Sequence, residues 1–396
     1  MYSIALKMLL GDKTKFIGLL IGISFTAFLI TFALAYFAGF MSRGFALISE
    51  NPTAKIWVMD SAVNSTETTI NMSNNSLDLV KSVQGVNYAV PLYLSDVTAR
   101  FANGHFQSFQ MIGVDDATLS GMSKPSNSLG KNALRLPQSV IVDSGGTEGK
   151  LQTPVYKKDQ WSSDGAHIHS TTRKLHFGDE LLIDDRSVMV SGVSHTIPRF
   201  PPHPLLYTSL SNFKRLTPSQ NKRITFIMVQ PSKGIDIIQL AKKITKQTGL
   251  KAITADAFKK ETVLWFFVNS EDVGDMVNMV VLAMLVGFGV TGVMLYMFTY
   301  ENLKQYAVLK AIGASNEMLS KMVFFQAFIG VVLGVGIGIG LSAIVSEIIA
   351  SSTFPFRMMW FAPLFGFLGV SIVSVTATII SIKPVLKLEP FVVFRS

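Results

Sequence analysis

The chain contains no cysteine and few charged residues, and both features exclude whole classes of protein. Its 396 residues form no disulfide framework, no thiolate zinc site and no cysteine nucleophile, because cysteine is absent. Only 15% of the residues are charged, whereas 49% are hydrophobic, and the mean hydropathy is +0.39. A soluble domain carries roughly 25% charged residues. The composition therefore indicates a membrane protein and excludes a disordered chain or a coiled coil.

The hydrophobic residues are concentrated in four stretches without a single Asp, Glu, Lys or Arg. These stretches are residues 16–42, 276–300, 322–346 and 358–382. Because a helix needs about 20 apolar residues to cross a bilayer, each stretch is predicted to be a transmembrane helix. The first one is too long for a cleaved signal peptide, and no small-residue cleavage site follows it.

The basic residues predict how these helices are oriented. Segments 1–15, 301–321 and 383–396 together hold nine basic and four acidic residues, whereas the short loop 347–357 is neutral. The positive-inside rule therefore places both termini in the cytoplasm and region 43–275 outside. That outer region has 25 basic and 21 acidic residues. The resulting density of net positive charge is too low for a nucleic-acid-binding surface.

The outer region 43–275 is long enough for one or two domains and alternates strand and helix patterns. We expect an α+β domain with three parts: a porter-like part in two segments (50–108 and 206–254), a small β-rich part (109–205), and a stalk helix that continues into the second span (255–275). Pro91 indicates an edge or a bend in the strand predicted over 86–100. The predicted fold class is an α-helical membrane protein with four transmembrane helices plus a large α+β extracytoplasmic domain between spans 1 and 2.

The polar residues of the outer region offer few candidates for chemistry. His167, His169 and His176 lie in one polar segment, where a His-x-His pair is a candidate metal site and a solvated loop is the competing interpretation. Acidic residues at 115–116, 143 and 184–185 resemble carboxylate pairs. Adjacent residues on a strand point to opposite faces, so turn roles are favoured. The chain has no Gly-x-x-x-x-Gly-Lys-Ser/Thr motif and cannot be its own P-loop ATPase.

The third span carries small residues at a spacing of four. The set is Gly330, Gly334, Gly338 and Ser342. Such a stripe lets helices pack closely, but the sequence leaves open whether the neighbour belongs to this chain or to a second copy. No predicted span holds an Asp, Glu, Lys, Arg or His residue, which argues against a channel or a proton-coupled carrier. Segment 1–15 begins amphipathically, which indicates either a helix on the inner membrane surface or an ordinary flanking segment.

Two further motifs accompany the layout of one span, a large outer domain and three more spans. Residues 301–315 read ENLKQYAVLKAIGAS, and residues 388–395 read LEPFVVFR. Together they resemble the permease subunits of FtsX/MacB-type ABC transporters, and the start of the chain is similar to the DevC-like branch. The pair Gln305–Tyr306 departs from the family, which often has an acidic residue and Ile there.

The resemblance implies a non-catalytic homodimeric subunit of the bacterial inner membrane that holds no cofactor itself. ATP and Mg are expected in a separate cytoplasmic P-loop ATPase, and segment 301–321 is expected to couple to it through Glu301, Lys304, Ala307, Leu309, Lys310, Ile312, Gly313 and Ala314. Gly313 is expected to supply the close turn that ends a helix. In tripartite relatives a periplasmic adaptor and an outer-membrane channel complete an exporter that works by mechanotransmission.

Three alternatives to the exporter stay open. Two belong to the same family: a signalling subunit that activates a cell-wall hydrolase, and a lipoprotein-release permease. The third is a membrane-anchored metal sensor or metalloenzyme that uses the segment His167–His176. The sequence does not reveal the cargo.

Overall fold

The computed structural model of the chain describes residues 2–122, 130–144, 151–155, 165–167, 169–200, 203–217, 223–349 and 355–387. The chain forms two compact units, a helical unit (Met1–Phe40 with Glu271–Ser396) and a sheet unit (Met41–Ser270). The predicted tail motif at 388–395 lies outside the described residues, as do parts of the predicted loop 347–357 and of the polar segment around the histidines.

The α-helices of the described residues are numbered along the chain. They are α1 (Tyr2–Gly11), α2 (Lys13–Gly44), α3 (Ala46–Ser49), α4 (Asn75–Lys81), α5 (Leu210–Leu216), α6 (Ile237–Thr248), α7 (Ala255–Asn269), α8 (Glu271–Glu301), α9 (Leu303–Ala311), α10 (Asn316–Ile349) and α11 (Phe361–Leu386). A 3-10 helix covers Gly130–Arg135. The helices α2, α8, α10 and α11 are long and apolar enough to cross a membrane, which confirms the four predicted spans.

The strands of the described residues all lie in the sheet unit. They are β1 (Ile56–Met59), β2 (Met72–Ser73), β3 (Val86–Arg100), β4 (Phe106–Val114), β5 (Ser139–Asp143), β6 (Gln152–Pro154), β7 (Thr172–Lys174), β8 (Glu180–Ile183), β9 (Arg186–Ser194), β10 (Leu205–Ser209), β11 (Arg223–Ile224), β12 (Phe226–Pro231) and β13 (Lys251–Thr254). Nine of them form one mixed sheet in the order β13-β1-β12-β3-β4-β10-β5-β9-β8. Because β8 also pairs with the end of β3, the strands from β3 to β8 close into a barrel.

The long strand β3 joins the two ends of this sheet. Its bounds, Val86–Arg100, are those predicted from the sequence. It lies inside the sheet between β12 and β4, so of the two predicted alternatives, an edge or a bend at Pro91, the edge was wrong. Leu92 O accepts a hydrogen bond from Thr225 N, and Leu94 N donates to Thr225 Oγ1, both on the β12 side. Because backbone groups alternate sides along a strand, the backbone nitrogen of Pro91 faces β4. Pairing with β4 begins only at Leu92, so the missing N–H of Pro91 removes no ladder hydrogen bond.

The sheet carries a hydrophobic core on each of its two faces, because successive strand residues point to opposite sides. In β1, Ile56 and Val58 face one core, which α4, α5 and α6 cover. Trp57 and Met59 face the other core, to which α3, α7 and the 3-10 helix contribute. The sheet runs through both predicted parts of the outer domain, and the division into a porter-like and a β-rich part stays a prediction.

The expected stalk helix does not continue into the second span. Helix α7 ends at Asn269, and Ser270 adopts an extended conformation with φ −108° and ψ 119°. Helix α8 begins directly afterwards with Glu271 and Asp272 in its first turn. Acidic residues there interact favourably with the positive end of the helix dipole, so this sequence favours a new helix start. The apolar pattern alone did not indicate the break.

Candidate functional site

The short helix α9 connects α8 to α10 and is the centre of the segment 301–321 predicted to couple to an ATPase. Asn302 joins it to α8: its side-chain nitrogen donates to Phe298 O at 2.8 Å. Its backbone oxygen accepts from Gln305 N and Tyr306 N at the start of α9. The Asn302 side chain is buried. This junction holds α9 at a defined angle to the end of α8.

Gly313 ends α9 in the way that the sequence predicted. Its φ is +104°, a left-handed conformation that residues with a side chain rarely adopt. Gly313 N donates to Lys310 O at 3.1 Å, and Ala314 N donates to Leu309 O at 3.0 Å. These two bonds form a Schellman motif, which satisfies the last carbonyls of a helix. A Cβ at Gly313 would meet nothing within 4 Å, so the requirement for glycine is conformational rather than steric.

One face of α9 is anchored in a small core. Tyr306 is fully buried and Ala307 is 2% exposed. They pack among side chains of α1, α10 and α11, namely Ala5, Leu319, Met322, Val323, Ile382 and Val385. The Tyr306 hydroxyl donates to Gln326 Oε1 at 2.6 Å, and burial raises the pKa of this phenol. The residue that departs from the family pattern therefore has its own buried partner in this chain.

The other face of α9 is exposed. Ile312 is 79% exposed and Val308 is 44% exposed, both large values for aliphatic side chains. Lys304 and Gln305 are also exposed on this helix. A cation and two aliphatic side chains on a rigid helix form a surface suited to binding another protein.

The structure divides the eight predicted coupling residues into two groups. Ala307, Leu309 and Ala314 face or border the small core, and so position α9. The exposed members are Glu301, Lys304, Ile312 and Gly313. Lys310 lies between these groups, and its Nζ donates to Leu386 O at the end of α11. Glu301 lies 3.5 Å from Lys15 Nζ at the start of α2. Sequence reasoning missed Tyr306, Asn302 and Gln326, for which the only signal was the departure at Tyr306.

The small-residue stripe of α10 packs against α2 of the same chain. A Cβ on Gly334 would lie 2.6 Å from Ile23 Cγ2, and a Cβ on Gly338 would meet backbone atoms of Ser24 and Phe28. Gly330 is near the end of the Ile23 side chain, and Ser342 is fully buried. The question left open by the sequence is thereby answered for this stripe, because its neighbour is intramolecular.

Two of the three candidate metal-binding histidines, His167 and His176, have other contacts. The His176 ring Nδ1 lies 2.7 Å from Lys174 O and 3.1 Å from Arg173 Nη1. Asp179 binds Arg173 through two contacts of 2.6 and 2.8 Å. The backbone of His167 bonds to Asn103, and His169 is exposed. Among the described residues, no three His, Asp or Glu side chains converge as metal ligands. The metal hypothesis stays a prediction.

Most of the paired carboxylates have the predicted turn roles. Asp184 and Asp185 adopt positive φ values in the tight turn between β8 and β9. Asp115 accepts from Thr118 N at 2.9 Å, and Asp116 accepts from Ser211 N at 3.1 Å. For Asp143 the turn prediction was wrong, because this residue is the fully buried end of β5.

A buried ion pair of Arg199 with Glu50, and the partly buried Glu67 nearby, escaped the sequence reasoning. Arg199 Nη2 donates to Glu50 Oε2 at 2.7 Å, and both side chains are less than 9% exposed. Burial raises the pKa of Glu67 to about 7; nearby Asp96 adds to the increase, and Arg199 opposes it. His203 Nε2 lies 3.9 Å from Glu67 Oε2. The available signal was the position of Arg199 between Pro198 and Pro204.

Comparison with known proteins supports the resemblance seen in the sequence. Residues 278–390 match the family model described as FtsX-like permease C-terminal. This match covers α9 and all its anchoring residues on α10 and α11. A search of curated proteins found no match.

Three solved structures that resemble part of the chain share at most 15% sequence identity with it. The periplasmic region of MacB from Actinobacillus actinomycetemcomitans has 15% identity, a TM-score of 0.37, and covers 54% of this chain and 94% of its own. The extracellular domain of the noncanonic ABC-type transporter YknZ from Gram-positive bacteria has 14% identity, a TM-score of 0.32, and covers 51% and 98%. A domain of a Porphyromonas gingivalis permease protein has 12% identity, a TM-score of 0.31, and covers 51% and 90%. Because these TM-scores lie below 0.5, the assignment rests on the family match.

Proposed function

Residues 278–390 of this chain match the C-terminal region of FtsX-like permeases, and from this premise we propose that the chain is the membrane subunit of a MacB-like, DevC-like ABC exporter. The chain itself carries no P-loop. ATP and Mg are bound by a separate cytoplasmic ATPase, which docks on α9. The protein works as a homodimer and transmits the motion of the ATPase rather than hydrolysing ATP.

The observation that supports this proposal best is the geometry of α9. Its inner face is held by a buried hydrogen bond and a small core, whereas Ile312 on its outer side is 79% exposed. A force applied to the exposed side therefore acts on a rigid element and not on a pliable loop. Through Asn302 the force reaches α8, and through Gly313 it reaches α10.

The composition of the spans supports motion rather than conduction. The four charge-free stretches offer no Asp, Glu, Lys, Arg or His side chain to a polar cargo. Helix α8 begins at Glu271, and the chain before it leads through the extended Ser270 to α7 of the sheet unit. Movement of α9 is thus passed along α8 to the domain that meets the cargo, and the cargo is taken from the periplasm or the outer leaflet.

The charge distribution supports the proposed location. Segments 1–15, 301–321 and 383–396 hold nine basic and four acidic residues, and by the positive-inside rule this excess favours cytoplasmic termini and a periplasmic sheet unit in a bacterial inner membrane. In this setting a periplasmic adaptor and an outer-membrane channel complete a tripartite exporter.

The test is affinity purification of the tagged chain from its native membrane, followed by mass spectrometry. We expect a P-loop ATPase and a periplasmic adaptor to co-purify with the wild-type chain. Ile312→Ser should lose the ATPase and keep the adaptor. Trp360→Ser is the matched control. Trp360 is 75% exposed but precedes the first residue of α11, whereas α9 contacts Leu386 at the last residue of that helix. The Trp360→Ser variant should therefore keep both partners.

Two results would overturn parts of the proposal. If no ATPase co-purifies with the wild-type chain, or if Ile312→Ser retains it as fully as Trp360→Ser does, α9 is not the docking site. If the ATPase arrives with a cell-wall hydrolase or with lipoproteins instead of an adaptor, the ABC subunit stands and the exporter assignment falls.

A further inference from the structure

Helix α1 is amphipathic in a way that leaves one apolar face without a protein partner among the described residues. Ala5 and Leu9 are fully buried on one side. Tyr2 packs its ring 4.7 Å from that of Phe325 on α10. Leu6 and Leu10, four residues apart, share one flank of the helix and are 38% and 48% exposed, whereas Ile4, 44% exposed, lies on the other flank.

The position of α1 in the helical unit identifies what covers this face. Only Asp12 separates α1 from the membrane-spanning helix α2, whose charge-free stretch begins at Phe16. Phe325 lies four residues after Lys321, where the charge-free stretch of α10 begins. Helix α1 therefore packs at the level where two spans leave the hydrocarbon core. An amphipathic helix at that level rests its apolar face on the boundary between headgroups and acyl chains.

The charges around α1 favour an anionic lipid surface. Lys7 is the one charged residue of α1, and Lys13 follows at the start of α2; both are exposed. Asp12 is the one acidic residue of segment 1–15, and its Oδ2 lies 3.2 Å from Lys15 Nζ, which is also 3.5 Å from Glu301 Oε2. Basic side chains beside an apolar helix face bind membranes that contain anionic headgroups, and contribute about 1 kcal/mol each near the surface.

A buried hydrogen-bonded chain connects α1 to α9. Gln326 Nε2 donates to Ala5 O at 2.9 Å, and Gln326 Oε1 accepts from the Tyr306 hydroxyl at 2.6 Å. Gln326 is 2% exposed and Tyr306 is fully buried. An unpaired polar group is costly at such a site, so the three helices keep their relative positions. A displacement of α1 has to be accommodated by Tyr306, and hence by α9.

We propose that α1 binds the anionic lipid surface on its side of the membrane. We further propose that the hydrogen bonds from Ala5 through Gln326 to Tyr306 let this binding reduce the mobility of α9. The lipid-binding part stands independently of the docking role of α9. The consequence for ATPase coupling rests on the proposed function.

The absence of cysteine permits a clean test of the lipid contact. A fluorophore is attached to Leu10→Cys in the full chain, and to Ile312→Cys as the control, after reconstitution into phosphatidylcholine vesicles with or without phosphatidylglycerol. With brominated acyl chains, we expect the label at position 10 to lose most of its fluorescence, more so with phosphatidylglycerol. The label at position 312 should keep its intensity. Equal quenching at both positions, or none at position 10, would overturn lipid binding by α1.

The second arm tests the link to α9. A nitroxide on Val308→Cys, an exposed position of α9, reports its mobility in the same vesicles. We expect phosphatidylglycerol to slow the motion of the nitroxide in the otherwise unchanged chain. The same slowing is expected in Gln305→Leu, the control, because Gln305 is an exposed glutamine on α9. Gln326→Leu and the milder Tyr306→Phe should both lose this response while the label at position 10 stays quenched.

If the nitroxide responds to phosphatidylglycerol in both Gln326→Leu and Tyr306→Phe, or fails to respond in the unchanged chain, the proposed link is refuted. Neither readout requires an ATPase. A failure here is therefore distinct from a failure of Ile312→Ser to lose the ATPase, which concerns the docking role alone.

Discussion

Replacement of glycines in α10 by alanine tests the packing of the helical unit. The stripe Gly330, Gly334 and Gly338 faces α2, whereas a Cβ added to Gly336 or Gly340 of the same helix would meet nothing within 4 Å. Alanine adds a single methyl group at each site, so the comparison isolates contact with the neighbouring helix. Gly338→Ala is the decisive variant, and Gly340→Ala is its control.

The expected magnitude follows from what each methyl group would meet. At Gly338 the new Cβ meets Ser24 O and lies 2.9 Å from Phe28 N, and these backbone atoms cannot turn away as a side chain can. Overpacking of this kind costs about 1–3 kcal/mol, and each 1.4 kcal/mol is a factor of about ten in an equilibrium constant. At Gly340 alanine meets open space, and its better helix propensity stabilises by up to about 1 kcal/mol.

The loss of stability on substitution by alanine should also differ among the three glycines, according to the atoms that each new methyl group meets. At Gly330 the nearest atom is Ile23 Cδ1 at 3.2 Å, the flexible end of a side chain. At Gly334 it is Ile23 Cγ2 at 2.6 Å, on the stiffer branched part. We therefore expect the loss of stability to increase from Gly330→Ala through Gly334→Ala to Gly338→Ala.

The assay is unfolding of the purified chain in mild detergent by a titration with dodecyl sulfate, with a short pulse of protease to report the unfolded fraction. Gly338→Ala should move the midpoint to a lower dodecyl sulfate fraction, and Gly340→Ala should leave it in place or raise it. Equal losses at Gly338 and Gly340, or no loss at Gly338, would refute the assignment of α2 as the neighbour of the stripe.

Three further predictions concern single sites. Gly313→Val forces a β-branched residue into φ +104° at a cost of about 1–3 kcal/mol. This variant should lose ATPase co-purification while the protease resistance of the sheet unit stays normal. Retention of the ATPase would contradict the role of the turn. The pKa of Glu67, about 7 in the folded chain against an ordinary value of 4.5, means that the folded chain binds more protons, so stability should fall as the pH rises from about 4.5 to 7. Glu67→Gln should remove most of this pH dependence of stability, which corresponds to about 3 kcal/mol between the two pKa values. Melting temperatures measured across this pH range would detect the change, and a curve parallel to wild type would contradict it. Arg199→Met leaves Glu50 buried without its cation and should destabilise the sheet unit by about 3–5 kcal/mol; adding Glu50→Gln should restore much of this stability in denaturant titrations, and no recovery would argue against the pair.

The sequence alone was sufficient for those features that depend on local composition or local backbone conformation. The four spans follow from charge-free stretches of about 25 residues, because the bilayer imposes its own thickness on any helix that crosses it. The bounds of β3 and the glycine turn after α9 were also predictable. A strand pattern and a left-handed glycine are each properties of a few adjacent residues.

Features that depend on partners distant in the chain required the tertiary structure. The stripe of α10 is the same in sequence whether it meets α2 or a second copy, and only the position of Ile23 distinguishes these cases. The division of the coupling residues into anchored and exposed groups depends on where Leu319 and Val385 lie. The pairing of Glu50 with Arg199 spans about 150 residues of chain. Burial and pairing are set by which surfaces meet, and a hydrophobicity pattern specifies how much surface is buried but not against which neighbour.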